Sequence, residues 1–447
     1  MRYFSFFLIL ILLATVCLSR AGEPTLLTLP QAVEQALQYN KNLDNIRKSV
    51  EESELKYRAA RKERLPKINT TYTYFRLGDD LNVATTNPTS GDTFTFPLMT
   101  RENYTWITSF NLPIYMAGAI KLNEDIARLG IDISKLKLFQ TRNELVQAVK
   151  CWYFNILRDD KLVAFYEQNL KTYLEHERVT RHLHEQGQVA KNTLLAARVE
   201  TLNAKQELAT ARRNADISRS TLNIALGWDV NRPLAVEEEL NRKPFDLTLD
   251  ECLEKARKNN PELVAFAFLK QQAEKAVRLE IVHYIPTMDL SVNYMANTQG
   301  KSGGDEFMPN NLLYSMLNLR WNLFDWGQKA DEAAARRKNL EQVINNEQIV
   351  RDAVLMRIKE ANARLGTAAE NIETATLALA EAKENVRIAS LRYREQVAPA
   401  SEVTDAMAAL KKSELNHASA FYDYNAAVAA LECAMGTDIH KIIGTEN

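Results

Sequence analysis

The feature that most constrains this chain is a long helical hairpin written twice. Gly118 to Gly227 and Gly327 to Gly436 are related by a constant shift of 209 positions, which sets Tyr115 on Phe324, Gly118 on Gly327 and Leu226-Gly227 on Met435-Gly436. Each copy has about 65 residues nearly free of Gly and Pro, a short polar break, then about 35 more. In the first copy Leu145, Val149, Trp152, Ile156, Val163, Tyr166, Leu170 and Tyr173 alternate four-three, with Asp159 the one polar member. Ala368, Ile372, Ala375, Leu379, Ala382, Val386, Ala389 and Tyr393 keep the same beat in the second. Apolar residues on that spacing form the seam of a coiled coil. At 1.5 Å per residue the long arm is a rod of about 100 Å.

The repeat extends upstream. Leu27 to Tyr74 aligns with Leu247 to Tyr294 without a gap at a shift of 220, pairing Leu27-Thr28-Leu29 with Leu247-Thr248-Leu249, Asn40 with Asn260 and Pro66 with Pro286. Thr28 with Gln31, and Thr248 with Glu251, predict capping boxes. A leading helix is expected over roughly Gln31 to Arg64, and again over Asp250 to Tyr284, ending before each proline because the residue preceding proline avoids the helical region. Its length added to that of the returning arm (Asn192 to Leu226, Ser401 to Met435) matches the long arm, so two short helices are expected end to end beside one long one.

After each proline the period changes to two. Ile68, Thr70, Tyr72 and Tyr74 alternate with Asn69, Thr71 and Thr73, and Met288, Leu290, Val292 and Tyr294 with Asp289, Ser291 and Asn293. Tyr104 to Leu112 and Leu313 to Leu323 make a third and fourth strand of this kind. A half-buried sheet in water would give this pattern. So would outer-membrane barrel strands of about ten residues with aromatic ends, apolar outward and polar toward the lumen. Four strands cannot close a barrel, and an open edge in lipid leaves N–H and C=O groups unsatisfied. Membrane-embedded strands would therefore have to be completed by other copies of the chain. The stretch from Leu77 to Glu102 reads as an exposed loop, with a shorter counterpart over Asn297 to Asn311, and Asp229 to Asp246 as a linker between the halves.

Arg2, the apolar run Phe4 to Leu18 and Ser19-Arg20-Ala21 describe a secretory signal peptide over residues 1–21. The run is shorter than the ~20 residues that cross a bilayer, and Val16 before Cys17 is not the small residue expected before a lipidated cysteine. No later apolar segment approaches spanning length. The domains are then the first repeat over 22–228, the linker over 229–246, the second repeat over 247–436 and a tail over 437–447. Cys151, Cys252 and Cys433 fall opposite Glu360, Ala32 and Ile224, so no disulfide framework is shared by the repeats. The 56 basic and 57 acidic residues nearly cancel, which argues against nucleic acid as a partner. No nucleophile–base signature or phosphate-cradling glycine loop is present, so neither an enzyme nor a cofactor is expected. His182 and His184, two apart on a helix, point to different faces and make no zinc pair. Trp106, Trp321 and Trp326 suit a membrane interface, Trp152 the coiled-coil core.

The ordered set of Leu-Thr-Leu openings, Asn40 and Asn260, the strand end Leu112-Pro113-Ile114-Tyr115 with Gly118, and Leu226-Gly227 resembles the TolC-type outer-membrane efflux protein family over essentially the whole chain after residue 21. The resemblance implies an α+β membrane protein: a homotrimer with a long α-helical coiled-coil barrel and one shared 12-stranded transmembrane β-barrel, four strands per chain. It implies an outer-membrane channel-tunnel of a Gram-negative bacterium, its helices in the periplasm, carrying solutes from a periplasmic adaptor and an inner-membrane pump of RND, ABC or MFS type. The alternative is an exported coiled-coil scaffold with a soluble interaction domain and no channel. By the resemblance the adaptor meets the hairpin tips, here Gly187, Gln188 and Val189 in the first and Gln396, Val397, Ala398 and Pro399 in the second. Gln396 replaces the family's second tip glycine, and Ala398 stands where the family carries a locking arginine. Glu402 and Asp405 match its acidic constriction, with Tyr393 beside them as a gate residue. On residue pattern alone, acids opening a helix complement its dipole.

Overall fold

A computed structural model describes residues 25–99, 101–238, 245, 247–299, 311–395 and 397–436. The expected signal peptide, the 437–447 tail, Gln396, most of the second loop and the centre of the linker lie outside these residues. In chain order the elements are β1 (Thr25–Leu27), α1 (Leu29–Tyr39), α2 (Lys41–Lys62), β2 (Lys67–Arg76), β3 (Leu81–Thr86), β4 (Thr93–Met99), β5 (Glu102–Tyr115), α3 (Ala119–Glu185), α4 (Lys191–Ala225), β6 (Leu234–Val236), α5 (Leu249–Asn259), α6 (Pro261–Val282), β7 (Thr287–Gln299), β8 (Asn311–Arg320), α7 (Gln328–Arg394) and α8 (Ala400–Met435).

The repeat is kept in the helices. α3 and α7 are each 67 residues long, α1 and α5 are 11, and α2 and α6 are 22. Both capping boxes form, with Thr28 and Thr248 accepting from the N–H groups of Gln31 and Glu251. The single leading helix, however, is two helices in each half. Asn40 and Asn260 adopt extended backbone (φ −65°, ψ 122° and φ −72°, ψ 121°) and end the first helix. Each side chain then caps the next helix, Asn40 Oδ1 accepting from the N–H groups of Asn42 and Leu43 and Asn260 Oδ1 from those of Glu262 and Leu263. The same amides donate to the carbonyls of Ala225 and Ala434, the last turns of α4 and α8.

The molecule has two compact units. The helical one comprises Lys135–Val264 with the segments up to Lys48 and from Gln348 onward. Its core repeats as the sequence does. Ala32, Ala36, Val149 and Leu222 are buried in one cluster, and their counterparts Cys252, Ala256, Ile358 and Leu431 in another. A third cluster, toward the hairpin ends, holds Tyr173, Ala204, Ala389, Val403, Ala406 and Met407. Trp152 is only half-buried, and its neighbour Tyr153 takes the fully buried place. The Tyr153 hydroxyl lies 3.0 Å from Leu27 O and 2.7 Å from Glu237 O. It thereby joins α3 to a feature absent from the sequence reading, the parallel pair of β1 with β6, the latter lying inside the expected linker. Cys252 is buried and Cys151 and Cys433 half-buried, all three as free thiols; burial pushes Cys433 up to about 11.

The second unit, Ser49–Ser134 and Ala265–Glu347, carries an antiparallel sheet in the order β2-β5-β7-β8. Cross-strand partners share a face. The register therefore puts Ile68, Phe110 and Val292 on one side, with Tyr72 and Trp106, Leu112, Leu290 and Leu317, Tyr294 and Leu313, and Met288 and Leu319. The other side holds Asn69, Ser109 and Asn293, then Asn111 and Ser291, then Asp289 and Asn318. Those polar groups bond one another, Ser109 to Asn293 at 2.6 Å and Asn318 to Asp289 at 3.0 Å. The apolar side is bare: Ile68 is 72% exposed, Leu317 61% and Leu319 67%. Among the described residues neither β2 nor β8 has a partner on its outer edge.

Two further expectations change here. β8 stops at Arg320, short of Leu323, and the Leu77–Glu102 loop contains a hairpin, β3 with β4. Beside the sheet, Glu124 is buried against Tyr57 and Arg64, and Asp125 is held below the usual carboxylate range by hydrogen bonds from Lys121 and Lys275. Both long helices are entered through two successive left-handed residues, Ala117-Gly118 (φ 51° and 86°) and Trp326-Gly327 (φ 55° and 87°). The glycines bear this freely, whereas Ala117 and Trp326 sit in a region few side chains tolerate.

Candidate functional site

The two hairpin ends share one closing hydrogen bond. In the first, Gly187 (φ 72°) follows α3, with Gly187 N–H donating to His184 O at 2.9 Å and Gln188 N–H to Leu183 O at 2.9 Å. This six-to-one bond with a left-handed glycine is a Schellman ending. The His184 ring braces it, its Nδ1 2.9 Å from Val189 O. In the second, Val397 N–H donates to Arg392 O at 2.9 Å, the equivalent bond 209 positions on. The following helices start alike, from Ala190 (φ −73°, ψ 157°) and Pro399 (φ −72°, ψ 158°), neither offering a side-chain cap. Pro399 suits that place, since its fixed φ is already the one required.

The two ends meet. A cavity of about 310 Å³ is lined by Leu183, Gln188, Val189 and Thr193 from the first hairpin and Tyr393, Ala398 and Pro399 from the second. Five of the expected site residues (Gln188, Val189, Tyr393, Ala398 and Pro399) thus face one space. Gly187 and Val397 are exposed at the turns themselves, and Ala398 is buried.

The expected gate trio is divided. Glu402 and Asp405 lie within the first two turns of α8, three apart, Glu402 half-buried and Asp405 exposed. Tyr393 packs instead toward the buried side of α8, lining a cleft with Val403 and Met407, its ring 5.8 Å from that of His176. On a helix Val403 and Asp405 stand about 160° apart around the axis, so the tyrosine and the aspartate are not directed at one point. Glu402 is not a bare acid either: Arg392, at the end of α7, donates to it across the turn. Sequence reading missed Arg392 and His176, for both act on residues of another helix or beyond a turn. The one visible signal was a basic last turn in α7. Lys411 of α8 also pairs with Glu207 of α4, joining the hairpins.

Among the described residues no group of three or more His, Cys, Asp or Glu could hold a metal ion, and no helix is long and apolar enough to cross a membrane.

A protein-family model described as outer membrane efflux protein matches residues 32–228 and 252–437. The fold is similar to that of the CmeC outer membrane channel of Campylobacter jejuni (TM-score 0.78, 16% identity, 93% of this chain and 88% of that one). It is also similar to the outer membrane protein VceC of Vibrio cholerae (TM-score 0.74, 14% identity, 92% and 96%). The open state of the MtrE outer membrane channel of Neisseria gonorrhoeae gives a TM-score of 0.71 at 18% identity, over 91% and 88%. No functionally curated protein matches the sequence significantly.

Proposed function

The chain belongs to the outer membrane efflux protein family, and we infer that three copies of it build the outer-membrane duct of a tripartite efflux pump. The observation that carries this is the sheet. Its register gathers Ile68, Tyr72, Trp106, Leu313, Leu317 and Leu319 on one face, where they stand exposed, and leaves β2 and β8 open. In lipid such edges must be paired, and β8 of one copy beside β2 of the next pairs them. Three copies supply 12 strands, polar inside and apolar outside. Trp106 and Trp321, 54% and 59% exposed, suit the membrane interface.

The long helices then extend into the periplasm, and the turn residues Gly187, Gln188, Val189, Val397, Ala398 and Pro399, with Gln396, meet an adaptor that links the duct to an inner-membrane pump. An exported scaffold explains the rods but gives no use for a bare apolar sheet. The purified chain should need detergent, run as three copies by mass, and form ion-conducting pores in a planar bilayer. A monomer that is well ordered without amphiphile would overturn the reading.

Glu402 and Asp405 from three chains set six carboxylates around the narrow end, where they attract cations. The Glu402→Ala/Asp405→Ala double variant should lose cation selectivity and block by multivalent cations. Arg392→Gln, which frees Glu402, should strengthen both. Selectivity unchanged in both variants would remove these acids from the gate.

A further inference from the structure

Beside the tip cavity lies an open cleft of about 630 Å³ between α3, α7 and α8. Its floor is Val403 and Met407 of α8, both buried. Around it α3 sets Lys171, Glu175, His176 and Arg178, and α7 sets Tyr393 and Arg394; α8 contributes no charged lining residue. Glu175 is held by Arg178 through two bonds of 2.7 and 2.8 Å, and the pair lowers the carboxyl of Glu175. Lys171 and Arg394 therefore leave the cleft positive. The hydroxyl of Tyr393 is buried and, among the described residues, has no hydrogen-bond partner. A cleft that is positive and floored by apolar groups is built to receive a group with negative charge.

We propose that this cleft binds a carboxylate, gripped by Arg394 and Lys171 beside the Tyr393 ring. The guanidinium plane of Arg394 matches a carboxylate's two oxygens. The carboxylate has two sources, an acidic side chain on a protein docking at the tips or a small free acid on its way through. Tyr393 lines both this cleft and the cavity between the tips, so the site adjoins the place where the hairpins meet. His176 adds dependence on pH. Burial holds its imidazole below the ordinary range, so it is neutral at pH 7 and gains a proton as the pH falls. The added positive charge then faces Lys171 and Arg394, which a bound carboxylate would offset, so affinity rises toward acid.

The test uses the full chain purified in detergent and a fluorescent helical peptide bearing two glutamates, with its glutamine counterpart. The glutamate peptide should bind about tenfold tighter or more at pH 7.5, as loss of charge-assisted hydrogen bonds implies, and tighter again as the pH is lowered to where His176 takes up its proton. Lys171→Gln/Arg394→Gln should abolish the difference, Arg394→Lys keep part of it, and His176→Gln remove the acid strengthening while keeping the binding. If succinate binds and competes, the site takes free acids; if only the peptide binds, it takes a partner's side chain. Equal binding of both peptides with no binding of succinate, or full affinity in the double variant at unchanged helical content, would overturn the proposal. Binding is read on the chain itself, so failure here leaves the bilayer conductance of the wild type to judge the duct separately.

Discussion

Leu317→Lys is expected to keep the protein out of the outer membrane, while Met316→Lys, one residue away, leaves assembly nearly intact. Leu317 pairs with Leu290 on the bare apolar side of the sheet, and Met316 pairs with Ser291 on the polar side. A lysine facing lipid near the bilayer centre costs about 2–4 kcal/mol, and a trimer would carry it three times. On the lumen side the same lysine stays in water. The contrast depends on the period of two along the strand, since a register slip of one residue would exchange the two outcomes. A sheet standing in water predicts something else: Leu317 is 61% exposed in the single chain, and a surface change of this kind shifts stability by about 0.5 kcal/mol or less. Heat-modifiable trimer on unboiled gels of outer-membrane fractions separates the two readings. Equal recovery of both variants would mean that the sheet does not face lipid.

Much of this was legible in the residues alone because the chain says it twice. The 209 and 220 shifts fixed matching helix ends that the structure keeps, and the 368–393 seam places Ala368, Ile372, Ala375, Ala382 and Ala389 in the core. Strand faces were readable because alternation survives in each strand alone. What stayed hidden depends on groups distant in sequence. β1 and β6 are three residues each, and their pairing spans more than 200 positions. The β3–β4 hairpin carries a Thr93-Phe94-Thr95-Phe96 alternation, but its Gly, Asp, Asn and Pro neighbours read as loop. Tyr393 keeps the heptad beat, which is why it turns inward to His176, away from Asp405. A resemblance assigns roles by position and leaves side-chain direction open, and here Arg392 pairs with Glu402 and His176 with Tyr393, two of the three residues expected at a gate.

Asn260→Ala should destabilise the helical unit by about 2–4 kcal/mol, the combined cost of a lost cap and an unsatisfied buried carbonyl. Asn260 is 3% exposed, and its one side chain serves three groups: the N–H groups of Glu262 and Leu263, at 2.9 and 3.4 Å, and the carbonyl of Ala434, at 3.1 Å. No other residue type offers both the acceptor and the donor at that reach. Asn260→Asp would keep the cap but set an anion against the Ala434 carbonyl, so it rescues little. Asn40→Ala should cost less, because its bonds are only partly buried. Gly436 closes the same junction from the other side. Its φ is 75°, and a Cβ there would stand 2.5 Å from Asn259 O; at Gly227 the equivalent distance is 3.0 Å, to Tyr39 O. Gly436→Ala should therefore cost more than Gly227→Ala. Together with Asn260→Ala its effect should be less than additive, since both changes open one contact. The order of chemical midpoints, followed by helical circular dichroism in detergent, checks this. Asn260→Ala within about 0.5 kcal/mol of wild type, the usual range for a neutral surface change, would show that the break in the leading helix has some other cause. The reason to expect otherwise lies in what the break achieves. Through one amide it joins a last-turn carbonyl of α8 to the first free N–H groups of α6, opposite ends of two helix dipoles. The rod can then pass from one helix to the next without leaving those terminal groups unpaired.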